Sequence, residues 1–215
     1  MIFGARILLA GMIALSCGVF LGASDVQACG NGKVIFEDKF ETLDPGWGKA
    51  SDRLSVENGA LVIKAEAGTG RWAISQSDYY QDVTVCVDAA VMNVSDQKSG
   101  FTAIVFWYQD NSNYYEFGYW PAGEVRVNRI SKGKTLFPVP QTETPALKTG
   151  AGQTNSLEVQ TVGNKATLYV NGTQIAEFKG KAPDGGGLVG LETYSPKTGG
   201  ETEARFTGFV VAEPK

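Results

Sequence analysis

The sequence predicts an all-β protein built as an antiparallel β-sandwich or jelly roll. Around a dozen short apolar or alternating runs are separated at regular intervals by turn residues, the spacing of a sandwich rather than of βαβ units. No stretch beyond residue 28 repeats apolar side chains at helical spacing. Asn58-Gly59 and Asn171-Gly172 each lie between two such runs, and both residue types tolerate the positive φ of a tight hairpin turn.

Residues 1–28 read as an export signal. Arg6 precedes an uncharged apolar run from Ile7 to Ala23, and Val26-Gln27-Ala28 is a small-residue cleavage site after Asp25. The run is shorter than the ~20 residues of a membrane span, so cleavage would leave residues 29–215 as a single β-sandwich domain, periplasmic or extracellular and free of the membrane. A second reading lipidates Cys29 at the new N-terminus, although Gln27 stands where a lipobox usually has a small residue. Removing Arg6 and Asp25 together keeps the net charge at −4, a balance that argues against nucleic acid as partner. With Cys17 in the leader, Cys29 and Cys86 remain, and in an oxidising compartment they most simply form one disulfide.

In order along the chain, Val34–Phe36 opens the domain and is followed by a loop around Trp47. Leu54–Val56 and Leu61–Lys64 flank the first Asn-Gly turn. Arg71–Ser75 is a short strand containing Trp72, and Asp82–Met92 begins with alternating polar and apolar residues. Phe101–Tyr108, Tyr114–Trp120 and Glu124–Ile130 then form an aromatic block with two of the four tryptophans and half of the tyrosines. Pro121-Ala122-Gly123 fits a three-residue hairpin loop. Lys132–Pro140 reads as a Gly- and Pro-rich excursion and Thr142–Thr154 as loop. Ser156–Val162, Ala166–Val170 and Gln174–Phe178 make a meander, Pro183–Gly187 a turn, and Leu188–Thr193 and Ala204–Ala212 the closing strands.

Alternation divides the aromatic block into faces, because successive strand side chains point to opposite sides. Tyr115, Phe117, Tyr119, Val125 and Val127 share an apolar, core-like face. Tyr114, Glu116, Gly118, Trp120, Arg126 and Asn128 share the other. That second face reads either as a binding surface or as a solvated face with an exposed Glu–Arg pair contributing under ~1 kcal/mol. The chain has no histidine, which excludes Ser–His–Asp and Cys–His catalysis and His-based zinc sites. It also has no Walker phosphate loop and no dinucleotide fingerprint.

Several blocks resemble a known family: the opening VIFEDKF with Trp47, SGFTAIVFWYQDNSNYYEFGYW, TNSLEVQTVGNKATLYVNGTQIAEF, GGGLVGLETY and ARFTGFVV. Their order is similar to the concanavalin A-like (laminin G-like) jelly roll, and within it to the 3-keto-disaccharide hydrolase-like domains of exported bacterial proteins. The resemblance covers roughly residues 34–211. It implies two six- or seven-stranded sheets, a concave face that binds sugars, and the aromatic block as the central concave strands. It also implies a calcium candidate, Asp38; no other cofactor is expected. Hydrolase-like members often carry an arginine where this chain has Trp107, and Glu116 matches an acidic position on the next strand. The Glu-x-Asp-x-Glu run of the related glucanases does not occur.

These observations favour an exported, non-catalytic carbohydrate-binding sandwich. Trp107, Tyr114 and Trp120 would form flat platforms, and Glu116, Arg126 and Asn128 would hydrogen-bond hydroxyls. The alternative is a glycoside hydrolase with Glu116 as acid or base, which needs a second carboxylate roughly 5–9.5 Å away. A third reading is a structural envelope domain whose face meets a protein partner.

Overall fold

Two antiparallel sheets pack face to face in the computed structural model, which describes residues 29–94 and 99–214. The predicted leader 1–28, with Cys17, lies outside the described residues. The strands are β1 (Val34–Asp38), β2 (Leu54–Glu57), β3 (Ala60–Ala65), β4 (Thr69–Tyr80), β5 (Val83–Asn93), β6 (Phe101–Asp110) and β7 (Asn113–Trp120). They continue as β8 (Glu124–Ser131), β9 (Lys134–Glu143), β10 (Thr154–Val162), β11 (Lys165–Val170), β12 (Thr173–Lys179), β13 (Gly187–Ser195) and β14 (Thr202–Ala212). Among the described residues no helix is long and apolar enough to cross a membrane.

The eight-stranded sheet runs β12-β11-β10-β5-β14-β3-β2, with β1 also paired to β14. β14 serves two neighbours on one side. Its residues Thr202–Phe206 pair β3 and its residues Phe209–Ala212 pair β1, on either side of an irregularity at Gly208, whose φ is +61°. The six-stranded sheet runs β4-β13-β6-β7-β8-β9. The strand counts are therefore eight and six, against the six or seven expected of each.

Between the sheets lies one apolar core. Ile104, Phe117, Val127 and Leu191 enter it from the six-stranded sheet, and Ile63, Val85, Leu157 and Phe206 from the other. Tyr115, Phe117, Tyr119, Val125 and Val127 all sit in it, as alternation in the aromatic block predicts. Asn58 (φ +53°) with Gly59, and Asn171 (φ +49°) with Gly172, turn their hairpins in the left-handed region. Cys29 and Cys86 are bonded, with Cα atoms 5.7 Å apart, and tie the start of the domain to β5.

Three local expectations need correction. Residues 134–143 form a strand, β9, paired to β8 along the sheet edge, rather than an excursion. Its hairpin turn is Lys132-Gly133, with Lys132 at φ +52°, a conformation a lysine seldom adopts and so a poor sequence signal. Pro138 and Pro140 fit there because an edge strand can spare N–H donors on its open side. The short strand around Trp72 extends over Thr69–Tyr80 and pairs with β13 at the other edge. Finally, β6 carries a bulge: Phe106 opposes Tyr115 and Asp110 opposes Asn113, leaving three residues of β6 against Tyr114 alone. Trp107 stands in that bulge at φ +49°, and the alternation of side chains reverses there.

Candidate functional site

The outer face of the six-stranded sheet is built from cross-strand rows. One row runs Trp72 (β4), Glu192 (β13), Ala103 (β6), Gly118 (β7) and Arg126 (β8). The next runs Ile74, Gly190, Val105, Glu116 and Asn128. Small residues in the middle matter here. A Cβ on Gly118 would lie 2.7 Å from the Phe101 ring, so its absence lets that ring lie against the sheet. A Cβ on Gly70 would lie 2.8 Å from the Glu192 carboxylate, so glycine leaves that carboxyl its place.

Glu116 and Glu192 form the polar centre. They are only 6% and 5% exposed, and Asn128 is equally buried. The Asn128 Nδ2 donates to Glu116 Oε1. With both carboxyls ionised, Oε2 of Glu116 and Oε2 of Glu192 would find no donor, and Asn128 Oδ1 has none. Burial pushes the Glu192 carboxyl well above the usual carboxylate range, and the charge of Glu116 and a hydrogen bond between the two carboxyls push the same way. Burial beside a second acid thus favours the neutral form of Glu192. Burial, then the nearby Glu192 and Glu116 charges, likewise push the Tyr114 phenol far above its ordinary value.

Aromatic groups flank this centre on both sides. On one side Tyr114 lies 6.2 Å from Trp72 and 5.8 Å from Tyr108, centroid to centroid. On the other the Arg126 guanidinium sits 4.7 Å from the Trp120 ring, 5.1 Å from Phe137 and 5.8 Å from Phe101. Burial lowers the Arg126 pKa, while Glu116 and Tyr194 oppose that shift. Phe137 on β9 and Tyr194 on β13 stay exposed, at 54% and 38%, at this end of the face. The arrangement offers apolar ring surfaces at the rim, and acceptors with one unpartnered donor, Arg126 Nε, beneath.

The structure brings together five of the six residues singled out in the sequence: Tyr114, Glu116, Trp120, Arg126 and Asn128. Trp107 is the exception. The bulge turns its side chain to the core side, 5.4 Å from Phe106 and 5.1 Å from Tyr115, and puts Tyr108 on the face in its place. Asp38 lies elsewhere as well. Its Oδ1 accepts from the Phe40 N–H at 2.7 Å and its Oδ2 from the Trp47 indole at 2.7 Å, so it clamps its own loop and holds Phe40 at φ +54°. Among the described residues no group of three or more Asp, Glu, His or Cys is placed to hold a metal ion.

Sequence reasoning missed Glu192, Trp72, Tyr108, Phe137 and Tyr194. Glu192 had a signal, a lone acid in the otherwise uncharged run GGGLVGLETY, on the parity opposite to Leu191. Only the pairing of β13 with β6, far away in sequence, sets it beside Glu116.

The comparisons with known proteins agree with this architecture. The family model of the 3-keto-alpha-glucoside-1,2-lyase-like domain matches residues 30–206. No curated protein matches the sequence. Among solved structures, the carbohydrate-binding module CBM66 from Bacillus subtilis is similar at 13% identity and a TM-score of 0.58, over 85% of this chain and 98% of that one. The Bacillus licheniformis β-glucanase is similar at 12% identity and a TM-score of 0.60, over 85% and 99%. A Bacillus subtilis protein with a galectin-like fold has 12% identity and a TM-score of 0.64, over 85% and 96%. At these identities the likeness is one of fold.

Proposed function

Because the chain belongs to the family of 3-keto-alpha-glucoside-1,2-lyase-like domains, we propose that it binds a carbohydrate on the outer face of its six-stranded sheet, without cleaving it. One observation carries this reading. Three buried side chains, Glu116, Glu192 and Asn128, each hold an oxygen with no hydrogen-bond partner, between two groups of aromatic rings. Burying such oxygens unpaired costs about 1–3 kcal/mol each, a cost that donors from a ligand would remove. Sugars supply both halves of the match: hydroxyl donors for the oxygens and apolar C–H faces for Phe137, Tyr194 and Trp120. The carbohydrate-binding module among the similar structures supports the ligand class.

The test is a glycan array followed by titration with the best ligand. Glu116→Ala is expected to weaken binding about tenfold or more, the loss of a charge-assisted hydrogen bond of ~1.5–3 kcal/mol. Phe137→Ala, at an exposed position, should weaken it several-fold without altering the melting temperature. Unchanged affinity in both variants would remove the site from this face.

A catalytic reading draws on one specific feature, the second carboxyl beside Glu116. Glycoside hydrolysis sets its two carboxyls roughly 5–9.5 Å apart on either side of a substrate bond, whereas Glu116 and Glu192 are both buried beneath the face and Glu116 accepts from Asn128. That burial favours binding. Release of new reducing ends from oligosaccharides, or cleavage of a 3-keto-glucoside, abolished in Glu192→Gln, would reverse the preference.

A further inference from the structure

The residue that the bulge removes from the sheet face lines a different cavity. Trp107, Tyr80, Asp82, Asn164, Lys181 and Asp184 surround a space of about 600 Å³. It lies apart from Glu116 and Glu192, which do not line it. A second space of about 310 Å³ shares Trp107 and the segment from Lys181 to Asp184. The segment joining β12 to β13 thus borders both, and it is pinned at its start: Gly180 N–H donates to Asn164 O at 2.7 Å and Lys181 N–H to the Tyr115 hydroxyl at 2.9 Å.

Trp107 is costly where it stands. A tryptophan at φ +49° sits in a region that bulky side chains rarely adopt. Its side chain is 3% exposed, and its indole N–H has no acceptor. Gly180 packs so closely that a Cβ there would lie 2.5 Å from the indole ring, so the ring is fixed as a wall. A tryptophan held in a strained conformation as the wall of a cavity in the ~300–1,000 Å³ range of small-ligand sites points to an occupant.

The lining defines its chemistry. Asp82 and Asp184 outnumber Lys181, which disfavours an anion. Neither Lys181 nor Asp184 forms an ion pair among the described residues. One oxygen of Asp82 accepts from Gly163 N–H at 2.7 Å. Carboxylates, an ammonium, the Asn164 amide and a tryptophan suit a neutral ring carrying several hydroxyls, each able to donate and accept. We propose that this end cavity is a second binding site, separate from the Glu116–Glu192 centre although the adjoining space reaches Tyr114, for one neutral polyhydroxylated ring such as a single sugar residue.

Fluorine NMR of the protein labelled with 5-fluorotryptophan tests it, since Trp72 and Trp120 report the sheet face and Trp107 reports the cavity. Signals are assigned with Trp→Phe variants, and the probes are glucose, maltose and glucuronate. The Trp107 signal should shift saturably with glucose or maltose, more than with glucuronate, and equally in Glu116→Gln. The double variant Asn164→Ala/Asp184→Ala should weaken that response at least fivefold while the Trp47 signal, deep in the core, stays in place and reports an intact fold. A Trp107 signal that ignores both neutral sugars at tens of millimolar overturns the proposal. So does one that responds best to glucuronate, or that falls silent in Glu116→Gln. Silence of Trp72 and Trp120 with a moving Trp107 would count against the sheet-face site alone and support the cavity.

Discussion

Burial beside another carboxyl pushes the Glu192 carboxyl well above the usual carboxylate range, and that makes folding pH-dependent in a definite direction. A folded-state pKa above the unfolded one means that the folded protein binds the proton more tightly. The stabilisation is complete below the ordinary glutamate range and is lost as pH rises through the raised folded value. Thermal melts should therefore show a contribution that declines from acid toward neutral and alkaline pH. Glu192→Gln, which keeps a hydrogen-bond donor toward Glu116, should flatten that decline and raise the melting temperature at the alkaline end. A Glu192→Gln protein with the wild-type pH profile would show that the proton is not held there. Arg126 likewise serves two neighbours at once. Its guanidinium spans the Trp120 and Phe137 rings, where burial lowers its pKa, while the Glu116 charge opposes that lowering.

Among the elements, the β10–β11–β12 meander and the 144–153 loop depend on two asparagines. Asn155 accepts from Lys148 N–H at 2.8 Å, donates to Lys148 O at 3.0 Å, and accepts from Asn171 Nδ2 at 2.8 Å. Asn171, at positive φ in its turn, also accepts from Ser156 N–H and donates to Ala146 O. Asn155 is fully buried, so Asn155→Ala leaves these groups unpaired and should cost about 2–3 kcal/mol in chemical denaturation. A loss under about 0.5 kcal/mol would mean that water replaces the clamp. Asn171 was legible in the sequence as turn chemistry; that it bonds Asn155 was not, because sixteen residues separate them. The same limit explains the face. Alternation within β7 and β8 placed Glu116, Trp120, Arg126 and Asn128 correctly, since a two-strand hairpin carries its own register. Trp107 was misplaced because a bulge is a property of the pairing, not of one strand's pattern. Phe137 was missed because Lys132-Gly133 is an atypical turn, and Glu192 because its neighbour strand is remote in sequence.

At the scale of the whole molecule, a jelly roll of long-range pairings is tied at its N-terminal end by Cys29–Cys86, which spans 57 residues of sequence. Reduction should lower stability by up to about 4 kcal/mol on the loop-entropy argument, seen as a drop in denaturation midpoint with reductant; an unchanged midpoint would show that the sheets hold this end alone. The sandwich itself builds the candidate site, because it commits one face of the six-stranded sheet to the core and leaves the other to carry buried acids under aromatic rims. The most direct measurement is a crystal structure of the protein with an oligosaccharide that binds it in solution. A sugar ring is expected against Phe137 or Tyr194, with hydroxyls donating to Glu116, Glu192 or Asn128. A ligand ordered only away from that face, with those oxygens still unpaired, would contradict carbohydrate binding there.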